Sequence, residues 1–384
     1  MAILSKNSGK PLSRLGLRGF IGGLFRVVTG RHFAPFCRRN FAPDKGFWCN
    51  EPTSENGGWL RFVGPAASNS TMEILSMKKT LIALAAVAAT GAVFAQSSVT
   101  AYGRVDLSLA RNVGSDTTVM QNGSGSRLGF RGNEDLGGGL KALFQIEHRF
   151  NADTGEQTSA TKYWHGRSIV GLSGGFGTIQ FGRDYSPAFL YSQLAADPWG
   201  WDTVAANSRA TGGAIAPVRN DNAMTYIWSG AGLTVAAQAA LKENAEGATK
   251  NPVALAVRYA NGPIMAAVGH DRTATGGKWT TVNGSYDLGA VKLGALFGTG
   301  TTAADHDHDS YLLSAVAPLG AGELRFSVAQ LKDKTADVVA SRQIGLGYHY
   351  SLSKRTTVYV DVVNDNKRTE TNKTGVDFGL KHNF

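Results

Sequence analysis

The sequence predicts an all-β fold, a transmembrane β-barrel of sixteen antiparallel strands with one long loop folded into its lumen. Three observations predict this fold. From residue 96 onward, apolar and polar side chains alternate with a period of two in sixteen segments. Most segments have the ~9–11 residues that a tilted strand needs to cross a bilayer. Short turns and longer polar loops alternate between the segments, which is typical of transmembrane barrels.

The charge of the chain is concentrated in its front part. The chain has 384 residues and a formal net charge of +10. Residues 1–95 hold 12 Lys/Arg against 4 Asp/Glu, whereas residues 96–384 hold 27 against 25. The main body therefore gives no support to nucleic-acid binding. Both cysteines, Cys37 and Cys49, lie before residue 96, which excludes disulfides, thiolate zinc sites and catalytic thiols beyond it.

Residues 1–76 show no regular periodicity and are rich in Arg, Gly, Pro and Asn. This composition predicts either a disordered extension or a translation start assigned too far upstream. A genuine additional domain is the alternative.

A signal peptide is predicted for residues 77–95. It begins with Met77 and two lysines, continues with an apolar stretch over 81–92, and ends at small residues that predict cleavage between Ala95 and Gln96. The alternative is a short buried helix. With cleavage at this point, the barrel domain spans residues 96–384.

The first and last segments illustrate the alternation. In the first, Val99, Val105 and Leu109 share one face, and Arg104 and Asp106 share the other. In the last, an apolar face ends at Phe384, where an aromatic ring suits the membrane–water boundary. Sixteen strands in lipid cannot leave an unpaired edge, so the sheet must close. The predicted segments are 98–111, 124–133, 139–151, 163–174, 176–184, 220–229, 232–242, 252–261, 263–271, 278–287, 289–299, 309–318, 321–332, 341–351, 354–364 and 374–384.

The connection over residues 185–219 is the exception among these loops. Loops beyond ~12–15 residues are uncommon in compact domains unless they are functional. Ser186 is a suitable N-cap and Pro187 a suitable first helical residue, which predicts a short helix over 188–195 that ends before Pro198. We expect this loop to fold into the lumen and narrow it.

Several stretches carry a family resemblance: 98–106, 127–142, 163–173, 176–178, 182–185, 348–356 and the final Phe384. In these stretches the chain resembles the general porins of Gram-negative bacteria and is most similar to the trimeric, sixteen-stranded porins of betaproteobacteria. The resemblance implies a homotrimer in the outer membrane, in contact with the bilayer and with outer-leaflet lipopolysaccharide. It also implies passive diffusion of ions and small hydrophilic solutes, no cofactor, and an inward-folded third extracellular loop, here 185–219.

The inward loop departs from the family pattern at one point. Many relatives have a Pro-Glu-Phe-Gly element there, whereas this chain has Pro198-Trp199-Gly200 with the acid displaced to Asp197. The charges of the constriction therefore have to be read from this sequence. Tyr185, Asp197 and Asp202 are its candidate loop residues.

A row of arginines on inward faces predicts a basic wall opposite this loop. Strand alternation turns the first five inward, and the sixth requires a bulge or a strand end; the six are Arg104, Arg127, Arg131, Arg149, Arg167 and Arg183. Arginines facing Asp197 and Asp202 would set up a transverse field in a narrow aqueous pore, and their excess predicts a weak anion preference. The alternative is that they solvate the lumen or pair with Asp106, Glu134 and Glu147.

Two further motifs suggest no chemistry. The stretch 171–175 fits G-x-S-x-G, but the hydrolase motif needs a helix after the turn, and here another strand follows. The His- and Asp-rich stretch 305–309 lacks an evident third ligand group and is predicted to be a solvated loop. We therefore predict no catalytic, cofactor-binding or metal-binding residues. An outer-membrane enzyme and an adhesive barrel with a blocked lumen remain the rival functions.

Overall fold

The computed structural model describes residues 97–213, 215–243, 247–367 and 371–384. Residues 1–76, the predicted signal peptide and the predicted cleavage site between Ala95 and Gln96 lie outside this part. No helix in the described ranges is long and apolar enough to cross a membrane.

A single antiparallel sheet accounts for most of the described chain, and it closes on itself. From β3 to β17, each strand pairs with the next strand along the chain, and β1 pairs with β17 from Arg104 opposite Asn383 to Arg111 opposite Val376. The predicted sixteen-stranded barrel is confirmed. The strands are β1 Ser98–Arg111, β2 Val119–Asn122, β3 Ser126–Gly137, β4 Leu140–Phe150, β5 Ser168–Gly174, β6 Gly177–Tyr185, β7 Arg219–Gly230, β8 Leu233–Ala240, β9 Val253–Asn261, β10 Ile264–Arg272, β11 Lys278–Asp287, β12 Lys292–Thr301, β13 Asp307–Leu319, β14 Gly322–Asp333, β15 Val338–Ser351, β16 Thr356–Asp365 and β17 Thr374–Asn383.

Strand β2 is not a seventeenth wall strand. It pairs with the upper half of β1, whereas β3 pairs with the lower half of the same strand. Both therefore lie along one line beside β1, and the second wall strand is interrupted at residues 123–125. This interruption is a difference from the prediction, in which residues 112–123 lie in a loop between two predicted strands.

Alternation along the strands separates a lipid face from a lumen face. On β1, Val99 and Leu109 are 67% and 53% exposed, whereas Asp106 and Ser108 are fully enclosed. The outer surface is apolar over the height of the strands, as a lipid-facing wall must be. The polar residues inside are covered by the loop between β6 and β7, which carries two π-helical turns and a short α-helix at Phe189–Gln193, Arg209–Gly213 and Leu194–Ala196.

The strand boundaries differ from the predicted ones in two places. The segment expected over 163–174 is a regular strand only from Ser168, although main-chain hydrogen bonds still join Gly166 and Arg167 to Glu147. The loop expected between residues 299 and 308 is short, because Thr299 and Thr301 donate hydrogen bonds across the strands to Asp309 and Asp307 at 2.7 and 2.8 Å. Strands β12 and β13 therefore extend further than predicted.

Candidate functional site

The loop of residues 186–218, called the inward loop below, starts with a helical turn fixed to the barrel wall. Ser186 caps this turn, since its Oγ accepts a hydrogen bond from the Phe189 amide at 3.4 Å. The same hydroxyl donates to Asp271 on β10 at 2.5 Å, and the Gln193 amide donates to the other oxygen of Asp271 at 2.9 Å. One buried carboxylate thus holds both ends of the first turn.

The tip of the inward loop is fixed to the other end of the sheet. The Trp199 indole donates to Asp361 on β16 at 2.7 Å, and the Val204 amide donates to Asp377 on β17 at 3.2 Å. The Thr203 amide reaches the Gly123 carbonyl at 2.7 Å, at the point where the second wall strand is interrupted. In an uninterrupted strand this carbonyl would pair with the neighbouring strand. The interruption therefore leaves it available to the inward loop.

Small and apolar side chains form the contact between these two anchors. Ala210 packs against Leu296, Leu312 and Ala329 of strands β12 to β14. On β11, the Trp279 indole donates to the Thr211 carbonyl at 3.1 Å. The inward loop is thereby attached along β10 to β17, which leaves the lumen between its other side and strands β1 to β7.

Asp197 does not face the arginines as the sequence suggested. It is 5% exposed and accepts hydrogen bonds from the Asn207 side chain at 2.9 Å and from the amides of Trp199, Trp201 and Asn207. Burial raises the pKa of Asp197 above its ordinary value, and the hydrogen bonds offset part of that shift. Asp197 joins the two halves of the loop and presents no charge to the lumen.

Asp202 does face the basic wall. Its carboxylate lies 3.2 Å from the Arg104 guanidinium, with both side chains about a quarter exposed. Burial raises the pKa of Asp202 to about 6, although the nearby charges of Arg104, Lys381 and Arg127 lower it. Of the two loop carboxylates predicted for the constriction, this one contributes a titratable charge.

Tyr185, the last residue of β6, organises the centre of the basic wall. Its hydroxyl accepts hydrogen bonds from Arg149 at 2.7 Å and from Arg219 at 2.6 Å. The guanidinium of Arg219 also stacks on the ring, 4.1 Å from its centroid, and that of Arg167 lies 5.5 Å away. One phenol therefore holds three cations close together.

Carboxylates behind the arginines neutralise part of this charge. Glu147 accepts a hydrogen bond from Arg149 at 2.6 Å and one from the Tyr102 hydroxyl at 3.1 Å. Arg167 pairs with Asp184 at 2.6 Å. The alternative of local pairing thus applies to Arg149 and Arg167, although the partners differ in part from those considered.

Two arginines of the wall have no ion-pair partner among the described residues. Arg127 donates from Nε to the Gly125 carbonyl at 2.9 Å. Arg131 is exposed and lies over the Tyr102 ring, 5.2 Å from its centroid. Both lie on β3, beside the interruption and below it. Neither forms an ion pair, and in this sense their charges are uncompensated, although Glu147 and Asp202 lie within electrostatic range of Arg127.

Arg183 lies within electrostatic range of Arg219, but it pairs with an acid outside the basic wall. Alternation on β6 puts it on the side opposite to Gln180 and Asp184, and it contacts Asp221 at 2.5 Å and the His165 carbonyl at 3.0 Å. A bulge does occur here, since the β6–β7 register shifts between Gly182 and Asp184. However, the additional residue belongs to β7, so the bulge leaves Arg183 on the outer side.

Three side chains beside the basic wall were not among the predicted site residues: the cations Arg219 and Lys381 and the neutral phenol Tyr102. Arg219 was named only as the end of the long loop. Alternation alone contained the signal for Lys381 and Tyr102, whereas no local signal points to Arg219.

The stretches 171–175 and 305–309 lie in strands and turns of the barrel and form no catalytic or metal site in the described ranges. Ser173 lies in β5 and is followed by a turn and strand β6, without a helix. His306 contacts Asp333 of the next hairpin at 2.8 Å, and His308 lies 3.8 Å from the same carboxylate. Within the described ranges, no group of three His, Cys, Asp or Glu side chains is arranged to hold a metal ion.

Comparison with known proteins agrees with this arrangement. Residues 80–370 match the family described as Gram-negative porin. Outer membrane porin protein 32 of Delftia acidovorans is 35% identical over 357 residues, which cover 80% of this chain and 100% of that protein. An outer membrane porin protein of Bordetella pertussis is 29% identical over 389 residues, with the same coverage of both chains.

A solved structure is similar along the same length. The anion-selective porin from Comamonas acidovorans superposes with a TM-score of 0.65 at 28% identity and covers 75% of this chain and 100% of its own. The closed barrel, the inward loop and these relatives lead to one assignment. The chain belongs to the Gram-negative porin family, as an integral β-barrel of the outer membrane that forms a channel for passive diffusion.

Proposed function

We propose that this porin passes ions and small hydrophilic solutes with a modest preference for anions. The observation that carries the proposal is the imbalance of charge across the lumen. Arg127 and Arg131 are uncompensated on the wall, whereas Asp202 is the loop carboxylate turned towards it. The similar porin from Comamonas acidovorans is described as anion-selective, which supports the same sign here.

The preference for anions is expected to be modest because the lumen is filled with water, which weakens electrostatic interactions. A unit charge ~8 Å from an ion in water contributes about 0.5 kcal/mol. Screening at physiological salt, with a Debye length of ~8 Å, reduces this energy by roughly half or more. Each uncompensated charge therefore changes the ratio of anion to cation permeability about twofold, and two arginines change it about fourfold.

Reversal potentials across planar bilayers under a potassium chloride gradient test the proposal. The parent should show a potential of the sign that chloride preference produces. Arg127→Gln combined with Arg131→Gln should shift it towards potassium, because the variant removes two charges without breaking an ion pair.

Arg183→Gln is the control for the loss of an arginine. Because Asp221 already pairs with Arg183, this substitution should shift the potential less than the double substitution does. A cation-preferring parent that does not respond to the double substitution would show that the constriction is formed by other residues.

We further propose that the protein assembles as a homotrimer through the outer faces of β1 and β17. These faces carry large exposed apolar side chains, including Val99 at 67% and Phe378 at 61%. A neighbouring barrel or lipid must cover them. Bilayer lipid and outer-leaflet lipopolysaccharide would contact the remainder of the wall.

We also propose that the barrel has no catalytic activity. The position of Ser173 inside a strand supports this. Purified, folded protein should give no turnover above that of a boiled control in ester and peptide hydrolysis assays. Turnover that is lost in Ser173→Ala would contradict the proposal.

A further inference from the structure

Two cations lie directly opposite each other on the outer face of the barrel, at the rim with the long loops. Arg272 ends β10, Lys278 begins β11, and the strand register pairs them. Their chain neighbours Asp271 and Trp279 are completely buried inside the barrel. Alternation therefore turns Arg272 and Lys278 outward, where Lys278 is exposed and Arg272 half-buried.

This pair lacks an acidic counterpart. No carboxylate of the described ranges forms an ion pair with either side chain. Arg272 donates one hydrogen bond to the Asn251 carbonyl at 3.1 Å, and its buried Nε has no partner in the same part of the chain. Like charges directly opposite on neighbouring strands repel each other, so this arrangement favours an external anion.

The next carboxylates on the same outer rim are differently placed. Asp307 accepts a hydrogen bond from Thr301 at 2.8 Å. Asp309 accepts one from Thr299 and lies 3.2 Å from the Lys334 ammonium. The acids of this rim are thus satisfied within the protein, whereas the cations on β10 and β11 are not.

The residues below the pair form a graded column towards the membrane centre. His270 and Thr280 come next and share a hydrogen bond of 2.8 Å. Val268 and Val282 follow, opposite each other in the register and 41% and 54% exposed. Cations above, a polar pair between and an apolar strip below match the order of phosphate, backbone and acyl chains in a membrane amphiphile.

We propose that Arg272 and Lys278 bind a phosphate group of an outer-leaflet glycolipid, with its acyl chains along Val268 and Val282. Both cations are suited to phosphate, and an arginine fork can donate two parallel hydrogen bonds. β10 is the ninth wall strand counted from β1 and lies diametrically opposite the β1–β17 faces. The site therefore remains open to lipid if trimers form through those faces.

The site does not depend on the proposed ion preference, because it lies on the other side of the wall. It rests on the outer-membrane location, which places a phosphorylated glycolipid at this rim. Free phosphate has the same chemistry as the lipid headgroup, but it has no acyl chain that could contact Val268 and Val282. The experiment must therefore separate lipid from ion.

Native mass spectrometry of the folded, detergent-purified protein measures the retained lipid. Bisphosphorylated lipid A, lipid A from which both phosphates have been removed, and inorganic phosphate as a competitor are the three probes. Arg272→Gln with Lys278→Gln is the test variant. Arg127→Gln with Arg131→Gln is the matched control, since it removes two cations from the lumen, where lipid has no access.

A juxtamembrane cation contributes ~1 kcal/mol, about fivefold in affinity, so the test variant should bind bisphosphorylated lipid A roughly 25-fold more weakly than the parent. The lumen control should bind like the parent, and Arg272→Lys with Lys278→Arg should restore most of the affinity. Heat-modifiable migration on gels verifies folding, and Lys278→Gln alone serves if the double variant does not fold.

Three results would overturn the proposal. The first is undiminished binding of bisphosphorylated lipid A in the test variant, or in Lys278→Gln if it is used instead. The second is equal binding of the dephosphorylated lipid by the parent, which would mean that the strip alone binds acyl chains. The third is displacement of lipid A by millimolar inorganic phosphate, which would mean an anion site without lipid specificity.

Discussion

The charge of Asp202 should make ion selectivity depend on pH. Its pKa, raised by burial to about 6, lies between pH 5 and pH 7.5, and a carboxyl with a raised pKa is neutral below that value. Nearly all of the carboxyls, about 97%, should be ionised at pH 7.5 and about one-tenth at pH 5. Acidification therefore removes a negative charge from the loop and should increase the anion preference.

The size of the change in permeability ratio follows from the loss of one charge beside a water-filled lumen. The carboxylate is about a quarter exposed and lies 3.2 Å from Arg104. We take ~8 Å as its distance from a passing ion, as for the arginines. With screening, the permeability ratio should rise about twofold between pH 7.5 and pH 5. Burial and nearby cations lower the pKa of His165, in the loop before β5, so its titration moves towards the acidic end of this range.

Reversal potentials of the parent and of Asp202→Asn at the two pH values form the assay. The variant should behave at pH 7.5 as the parent does at pH 5, and its own potential should change little between the two. A pH step of the same size in Asp202→Asn would refute the reasoning, because another group would then have to carry the titration. The step should also shrink as salt concentration rises.

Three further predictions concern the inward loop, the N-terminus of the mature protein and its oligomeric state. Trp199→Phe removes the hydrogen bond to Asp361 and should destabilise the seating of the loop by about 1–3 kcal/mol, which would be seen as increased open-channel current noise. Trp201→Phe, which removes an indole N–H that has no partner in the described part of the chain, should not increase the noise. The mature protein should begin at Gln96, and an intact mass that includes residues 1–76 would contradict this. The native protein should cross-link as a heat-modifiable trimer, whereas monomers alone in outer membranes would contradict the interface on β1 and β17.

The wall of the barrel was predictable because its signal is local. Which way Val99 or Asp106 points follows from a period of two within one strand, and lipid outside with water inside makes that period visible in the sequence. The inward loop was recognisable for a related reason. Its length and the capping pair Ser186-Pro187 identify a folded insertion without reference to anything it touches.

The electrostatics of the lumen were less predictable because they depend on distant contacts. Asp197 looked like a constriction acid, yet Asn207, ten residues away, and the amides of the loop tip enclose it. Arg183 was expected to turn inward at a bulge, yet the additional residue lies on β7 and leaves Arg183 on the outer side, where alternation places it. Neither the partners of Asp197 nor the strand that carries the bulge can be read from the neighbouring sequence.

The interruption of the second wall strand was missed for a third reason. Short glycine- and serine-rich stretches are typical of loops, and 123–125 is such a stretch. Here it lies beside the tip of the inward loop and beside Asp106, which accepts hydrogen bonds from the Ser124 amide and hydroxyl. A break in a strand and a turn between strands look alike until the partner is known.

The pairing of β1 with β17 has a consequence for how the protein is made. Arg104 and Asn383, which hydrogen-bond across it, are 279 positions apart in the chain. The ring therefore cannot close before nearly the whole domain has been delivered, and until then two strand edges stay open to other chains. Pairings between such distant segments form slowly. Aggregation therefore competes with barrel closure during the interval between synthesis of the first strand and arrival of the last.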